Sequence, residues 1–315
     1  MRLALHRIAC AGIRGLGSRL GAPYCSARMF RESLLPPACH VPVKGGRLAF
    51  EHAGGSRVPL VVVHGFMGSR LDFVDVRVQL ARHRRVLFLD HRGHGESSWG
   101  GGPYTISGLM RDLEEALDHL GEEEVDLLGH SMGGMVALRW ALSRPGRVRS
   151  LVLSSTTAGS FGIEGIPEPS GGPRWLFEAK GRIREQLGRD GVARMAESLD
   201  VSEPVRARFA WLHRLSHRRV DPEAAWSLAR DMGTLTSVEE DLDQLKVPTL
   251  VMCGDADADA DFVEPSRALY DRIPDAKFEL IEGAGHFPHV ERPEAWCRAV
   301  EAHLARASDH LAAAS

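Results

Sequence analysis

One serine in this sequence stands between glycines, directly after an apolar run. Residues 124–138 read EVDLLGHSMGGMVAL, with Gly129 before Ser131 and Gly133 after it. A serine hydroxyl attacks a carbonyl carbon only when a neighbouring base accepts its proton. It must also be exposed, and a tight turn from a strand into a helix exposes it if glycines flank the turn. The motif alone is weak, but in this strand–turn–helix context it predicts that Ser131 is a nucleophile.

The candidate base is His286, in the glycine-rich stretch GAGHFPH after the last predicted strand. It is one of 15 histidines, and the order of residues along the chain selects it, because triads on sheets of this kind run Ser, Asp, His. His289 is the competing histidine, for which we expect a packing or surface role.

A carboxylate should orient the imidazole and stabilise its protonated form. The acidic run DADADAD (255–261) offers four candidates. The run resembles the start of a calcium loop, but the sixth position is Ala260 and the twelfth is Ser266, where glycine and glutamate are needed. We therefore predict no metal site here. One carboxylate is expected to serve the histidine, and the others to be solvated.

The oxyanion that forms during such an attack needs two backbone N–H donors. The residue after the nucleophile, Met132, is predicted to supply one. The loop HGFMGS, which follows the apolar run LVVVHG, offers Phe66 as the other. The alternative for His64 and Gly65 is a simple turn at the end of a strand.

The elements that must position these residues follow an alternating pattern. Short apolar, β-branched runs predict strands buried on both faces, and the runs between them have helical spacing. Strands alternating with helices indicate a mainly parallel sheet covered on both faces. The predicted strands lie in 41–54 (two strands around a Gly-Gly turn), 58–65, 84–93, 124–131, 148–155, 247–255 and 277–286.

Residues 156–235 interrupt this alternation, because they contain no strand-like run. Several aromatic residues lie there among arginines and glutamates, which predicts a helical insertion over the sheet: Trp175, Phe177, Phe209, Trp211 and Trp226. The division that follows is a basic, disordered leader (1–39), a core (40–155 and 236–308) and a helical cap (156–235).

Composition excludes several classes of function. The chain has 315 residues, 43% of them hydrophobic, and a formal charge of −3, so that nothing suggests a nucleic-acid partner. No apolar run approaches the roughly 20 residues of a membrane span. Five scattered cysteines indicate thiols in a reducing compartment. We predict a cytoplasmic protein acting on a small molecule, although the basic leader leaves organellar targeting open. The oligomeric state is left open.

Five stretches, spread in order over residues 40–307, resemble the α/β-hydrolase superfamily: HGFMGS, DHRGHGES, GHSMGG, GDAD and GAGHFPHVERPE. The resemblance implies an α/β fold with a mostly parallel eight-stranded sheet, helices on both faces and a cap that shapes the pocket. In that family the acid lies three residues after the glycine that ends its strand, so Gly254 points to Asp257. The implied triad is Ser131, Asp257 and His286, with Asp255 or Asp259 as alternatives for the acid. Phe66 and Met132 are the implied oxyanion donors.

Serine at the nucleophile position argues against the relatives that open epoxides or displace halide, since these carry aspartate there. The resemblance favours hydrolysis of an ester, thioester or lactone through an acyl-enzyme, without a cofactor. Met67, Met132 and Met135, with the cap aromatics, predict an apolar substrate. Other possibilities are a C–C bond hydrolase, a lyase like the synthase of menaquinone assembly, or a cofactor-free haloperoxidase with the same triad. A non-catalytic receptor would usually show a damaged triad.

Overall fold

The computed structural model describes residues 35–55, 58–162, 189–256 and 262–314. The predicted leader lies outside the described residues except at its end, and the first strand begins at Cys39, one residue before the predicted start of the core. Of the aromatic residues predicted in the cap, Trp175 and Phe177 also lie outside them.

Within the described residues, eight strands form one sheet. They are β1 (Cys39–Val43), β2 (Gly46–Gly54), β3 (Leu60–Val63), β4 (Arg85–Leu89), β5 (Val125–His130), β6 (Val148–Ser154), β7 (Thr249–Gly254) and β8 (Lys277–Ile281). Their order across the sheet is β1-β2-β4-β3-β5-β6-β7-β8. β2 pairs antiparallel with β1 and β4, and all the other pairs are parallel. The prediction of a mostly parallel, eight-stranded sheet is confirmed.

The central strands are apolar at every position because both faces of the sheet are covered. Successive side chains of a strand point to opposite faces. In β3, Val61 and Val63 therefore pack into one core cluster, whereas Leu60 and Val62 pack into a second cluster that contains Trp296. A continuous run such as LVVV is what a strand buried on both faces requires.

Nine α-helices lie within the described residues. They are α1 (Arg77–Leu80), α2 (Ile106–Leu120), α3 (Met132–Ser143), α4 (Arg189–Glu197), α5 (Glu203–Arg218), α6 (Pro222–Gly233), α7 (Val263–Arg272), α8 (Pro288–Glu291) and α9 (Pro293–Ala314). Two short 3-10 turns cover Arg70–Phe73 and Glu239–Gln244. In the described ranges, no helix is long and apolar enough to cross a membrane.

Local signals account for the ends of several helices. The Thr105 hydroxyl accepts the Gly108 N–H (3.0 Å) at the start of α2, and Gly121, with φ of 72°, ends that helix in the left-handed region. α7 has a proline, Pro265, as its third residue. Pro265 fits there, because the N–H groups of a first turn have no helical acceptor. α9 continues beyond residue 308, the predicted end of the core.

Helices α4, α5 and α6 lie between β6 and β7 and are joined to the core by hydrogen bonds. The hydroxyls of Ser216 and Ser69 are 2.7 Å apart, and the Tyr104 hydroxyl donates to Asp221 (2.6 Å). The described part of the predicted insertion is thus helical. The domain boundaries proposed for it remain a prediction.

The sheet order creates a crevice beside β3. The chain runs from β3 to β4 on one side and later places β5 on the other, with Val63 opposite Gly129. Ligands of open parallel sheets bind at such a reversal of strand order, outside the carboxyl ends of the strands. The segments that follow β3 and β5 are those that carry Phe66 and Ser131.

Candidate active site

Ser131 links β5 to α3 in a strained conformation. Its φ of 53° and ψ of −122° lie where residues other than glycine are rarely found. Two hydrogen bonds to neighbouring residues hold Ser131 in this conformation. The Ser131 N–H donates to the carbonyl of Ser154 (2.9 Å), and the Thr156 hydroxyl donates to the carbonyl of Ser131 (2.7 Å). The turn leaves the Ser131 side chain half-buried at the edge of a cavity.

Three glycines are sterically required for this turn. A Cβ atom on Gly129 would lie 2.4 Å from the carbonyl oxygen of Gly133, and one on Gly133 would lie 2.4 Å from that of Val63. A Cβ on Gly134 would meet the Thr156 side chain at 2.6 Å. Any larger residue at these positions would push the strand, the turn and the helix apart.

The structure brings His286 to Ser131. The His286 Nε2 atom lies 3.2 Å from the Ser131 Oγ atom, within the range that proton transfer needs. His286 follows β8 in a loop whose backbone is fixed, because His130 Nε2 donates to its carbonyl (2.8 Å). On the other side, the Phe262 ring stacks on the imidazole with centroids 4.9 Å apart.

The Glu291 carboxyl also fixes the loop that carries His286. Its Oε1 atom accepts the N–H groups of Gly285 (3.0 Å) and Phe287 (3.1 Å), the two neighbours of His286. Burial raises the pKa of the Glu291 carboxyl, although these donors oppose the shift. The sequence assigned no role to Glu291, and its only signal was an acidic residue in the apolar run FPHVE.

His289 is in the core, which agrees with the packing role expected of it. It is fully buried, and its ring stacks on Phe73 with centroids 4.8 Å apart. Burial lowers its pKa to about 3. A neutral, enclosed imidazole of this kind contributes shape and apolar area to the core beneath His286.

The carboxylate implied for the triad, Asp257, lies outside the described residues, as do Asp259 and Asp261. The remaining candidate, Asp255, is exposed and accepts the Gly283 N–H at 2.7 Å. That bond joins the loops after β7 and β8.

The described residues that flank positions 257–261 of the acidic run lie against the loop that carries His286 or against His286 itself. Just before the run, a Cβ on Gly254 would lie only 2.0 Å from the carbonyl oxygen of Ala284. At the start of the run, the Ala256 N–H donates to the same oxygen (2.9 Å). After the run, Phe262 stacks on His286 itself. The described residues on either side of the run are thus in contact with the histidine or with its loop.

The two predicted oxyanion donors flank Ser131. Met132 is the first residue of α3, at the positive end of its dipole. Phe66 follows Gly65, where a Cβ would lie 3.1 Å from the Cβ of Ser131. Within the described part of the chain, neither the Phe66 N–H nor the Met132 N–H has a hydrogen-bond acceptor. Both residues line the cavity.

A cavity of about 340 Å³ opens over the Ser131 and His286 pair. Methionine and phenylalanine side chains form most of its wall: Phe66, Met67, Met132, Met135, Phe161, Met195, Met232, Phe262 and Phe287. The polar side chains in the wall are Asp72, His130, Ser131, Arg194, His213 and His286. The described residues contain no cluster of three or more histidine, cysteine, aspartate or glutamate side chains that could hold a metal ion.

The family model for the alpha/beta hydrolase fold matches residues 58–293. The chain belongs to the alpha/beta hydrolase fold family. The match begins just before β3 and includes the turn at Ser131, the cap helices and the loop of His286.

This alpha/beta hydrolase is similar to proteins with different names. A Bacillus subtilis protein provisionally named 2-succinyl-6-hydroxy-2,4-cyclohexadiene-1-carboxylate synthase is 28% identical over 78% of this chain and 89% of its own. A proline iminopeptidase of Lactobacillus delbrueckii subsp. bulgaricus is 30% identical over 75% of this chain and 85% of its own. The solved structure of a thermophilic esterase from Thermogutta terrifontis covers 86% of this chain and 99% of its own, with 28% identity and a TM-score of 0.68.

Four polar residues of this alpha/beta hydrolase line the cavity without having been predicted: Asp72, His130, Arg194 and His213. Asp72 lies in the 3-10 turn after the Phe66 loop, and His213 lies on the cap helix α5. Asp72 follows a capping serine by three residues, which is a common local pattern. His213 is one of several histidines on an arginine-rich helix. No local signal marks Asp72 or His213.

Proposed function

We propose that this alpha/beta hydrolase is a serine hydrolase that cleaves a carboxylic ester, thioester or lactone of a small, mainly apolar substrate. The observation that carries the proposal is the 3.2 Å approach of His286 Nε2 to Ser131 Oγ at the edge of a methionine- and phenylalanine-lined cavity. We place the substrate in that cavity and the enzyme in the cytoplasm.

In the proposed reaction, Ser131 Oγ attacks the carbonyl carbon while His286 Nε2 takes its proton. The N–H groups of Phe66 and Met132 stabilise the oxyanion. His286 then returns the proton to the leaving alcohol or thiol, and the acyl group stays on Ser131. A water molecule, deprotonated by His286, attacks this acyl-enzyme and releases the acid.

Asp257 is proposed to orient His286 and to stabilise the imidazolium. The support is indirect. The residues on both sides of the acidic run contact the His286 loop or its ring, whereas Asp255 is exposed and bonded to Gly283. A carboxylate just after Ala256 is therefore well situated along the chain to reach the imidazole.

Labelling with a fluorophosphonate, followed by turnover of p-nitrophenyl esters, tests this proposal. The wild-type protein should be labelled at Ser131 and should hydrolyse short esters. Ser131→Ala should abolish labelling and lower kcat/KM by about 10⁴-fold or more, with an unchanged thermal unfolding curve. Ser143→Ala, on the exposed end of the same helix α3, is the matched control and should retain both properties. Retention of esterase activity by Ser131→Ala would refute the assignment.

The second candidate is a lyase or C–C bond hydrolase, and it rests on the similarity to the Bacillus subtilis protein named as a synthase. Such chemistry can use the same three residues without an acyl-enzyme. Rapid quenching of the wild-type enzyme with an ester, followed by intact mass measurement, separates the two. A mass increase equal to the acyl group on Ser131 supports the hydrolase. Because one relative is a proline iminopeptidase, the substrate panel should include amides.

A further inference from the structure

Asp72 and His213 line the same cavity but come from two different segments of the chain. Asp72 belongs to the core and is 5% exposed, whereas His213 belongs to the cap and is 3% exposed. Both line the cavity that contains Ser131 and His286. Two ionisable side chains that are more than nine-tenths buried thus line the proposed substrate cavity.

Neither residue has its hydrogen-bonding groups satisfied within the described part of the chain. Asp72 Oδ2 accepts the Ser69 N–H (3.2 Å), but Asp72 Oδ1 and both ring nitrogens of His213 have no hydrogen-bond partner there. The shortest approach of the two side chains, Oδ1 to Nε2, is 3.7 Å, which is too long for a hydrogen bond. Buried polar atoms are nearly always paired, so an open set beside a cavity indicates that a ligand pairs with them.

The two side chains are held in place. The Asp72 carboxyl and the Ser69 side chain form a reciprocal cap at the start of the 3-10 turn. The His213 ring lies 3.9 Å from the Phe209 ring, centroid to centroid, and 5.3 Å from that of Phe287. The open atoms therefore have a fixed position, as a specific subsite requires.

This position is separate from the reacting atoms. The Phe287 ring neighbours both histidines, with its centroid 5.1 Å from that of His286 and 5.3 Å from that of His213. A substrate whose carbonyl carbon is at Ser131 can therefore reach His213 with a group further along its chain.

We propose that Asp72 and His213 form a subsite that binds a hydroxyl group of the substrate, several bonds from the carbonyl that Ser131 attacks. The inference rests on the proposed function for the identity of the attacked carbonyl. It adds a recognised polar group to a substrate for which the methionine and phenylalanine side chains of the wall favour a mainly apolar character.

Charge and protonation favour a hydroxyl over other polar groups. Burial raises the pKa of Asp72 to about 8 and lowers that of His213 well below its ordinary value, so both are neutral at neutral pH. A protonated carboxyl donates one hydrogen bond from its O–H, and a neutral imidazole accepts one at its unprotonated nitrogen and donates one from the other. A hydroxyl matches that pair because it accepts and donates. A carboxylate has no donor for the accepting nitrogen of His213, and an ammonium group has no acceptor for the proton of the Asp72 carboxyl.

The direct test is binding to the Ser131→Ala protein, which needs no turnover. Hexanamide, 6-hydroxyhexanamide and 6-aminohexanamide differ only at the far end, and their affinities can be compared by calorimetry. The hydroxyl compound should bind about threefold to tenfold more tightly than hexanamide, the gain expected from a hydrogen-bonded buried pair. The same comparison with the butanamides and the octanamides should show the tighter binding of the hydroxyl compound at only one chain length.

Three variants in the Ser131→Ala background show which residues cause the tighter binding of the hydroxyl compound. In Asp72→Leu and in His213→Phe, 6-hydroxyhexanamide and hexanamide should bind with about equal affinity. Asp72→Asn, which keeps a donor and an acceptor, should retain part of the preference for the hydroxyl compound. His217→Phe is the matched control, because His217 is equally buried on the same helix α5 but is not in the cavity wall, and it should leave that preference unaltered. If Asp72→Leu fails to fold, His213→Phe and Asp72→Asn still give the comparison.

The following results of the binding experiments would overturn the inference. Equal affinities for hexanamide and its hydroxyl derivative, or no binding of either, mean that the subsite does not take a hydroxyl. A preference for the amino compound that Asp72→Asn removes means that it takes a cation. The ester turnover of the wild-type protein and its loss in Ser131→Ala report separately on the proposed function, so the two failures can be told apart.

Discussion

Among the histidines that line the cavity, His286 and His213 differ in what surrounds them. His286 is half-buried, its Nε2 lies 3.2 Å from Ser131 Oγ, and Glu291 and His130 hold its backbone. His213 is 3% exposed, packed against aromatic rings, and neither of its ring nitrogens has a hydrogen-bond partner among the described residues. The first is arranged to exchange a proton with a neighbouring hydroxyl. The second is arranged to remain neutral and to accept a partner from outside the protein.

The difference follows from the parts of the fold that carry them. His286 is on a loop at the carboxyl end of a strand, where neighbouring loops supply N–H and carbonyl partners. His213 is on a cap helix, whose backbone groups are already paired within the helix. In the two proposals, the core supplies the reacting groups and helix α5 supplies a recognition group.

The largest expected effect concerns the two histidines themselves. His286→Ala should lower kcat/KM for p-nitrophenyl hexanoate by about 10⁴-fold or more, because Ser131 then lacks a base. His213→Phe should lower it by less than about tenfold, because this substrate has no hydroxyl for His213 to bind and the variant keeps the aromatic packing. Steady-state kinetics on both variants give the comparison. Losses of similar size would mean that His213 takes part in the chemistry.

The next effect concerns the acid that serves His286. Asp257→Asn should lower kcat by about 10²- to 10⁴-fold, because the amide favours the wrong tautomer of the imidazole and does not stabilise its protonated form. Asp255→Asn should change kcat by less than about threefold, since Asn can still accept the Gly283 N–H. Asp259→Asn is the third member of the series. Equal losses in the three variants would show that the orienting carboxylate has been assigned incorrectly.

Much of the core could be predicted from the sequence, because its signals are local. The strand that became β3 was evident from an unbroken apolar run, and the turn at Ser131 from the glycines that its crowding requires. The order of the motifs along the chain then selected His286 from 15 histidines.

The roles of Asp72, His213 and Glu291 could not be predicted in the same way. Each depends on which distant segments bury it. Asp72 resembles an ordinary capping residue until helix α5 covers it, and Glu291 resembles a surface acid until the His286 loop folds onto its carboxyl. The sequence contains the residue types, but the burial that gives them a role arises only when the cap and the core pack together.

The smallest expected effect tests the environment of Asp72 through stability. Burial raises its pKa from 3.8 to about 8, and the charge of nearby Asp90 adds to the shift, while the Ser69 N–H opposes it. At pH values between 3.8 and about 8, Asp72 is therefore protonated in the folded protein and ionised in the unfolded chain. Stability from this group is complete below about pH 4 and is lost as the pH rises to about 8.

Asp72→Asn removes this titration, so the two proteins should diverge with pH. From pH 6 to pH 9, wild-type stability should fall by about 2–3 kcal/mol relative to Asp72→Asn, because about two pH units of that range lie below the folded-state pKa at 1.36 kcal/mol each. Urea unfolding at both pH values measures the difference. Asp255→Asn, at an exposed aspartate, is the control and should follow the wild type. If Asp72→Asn also follows the wild type, Asp72 is ionised in the folded protein. The cavity would then carry a buried negative charge that suits a cationic ligand better than a hydroxyl.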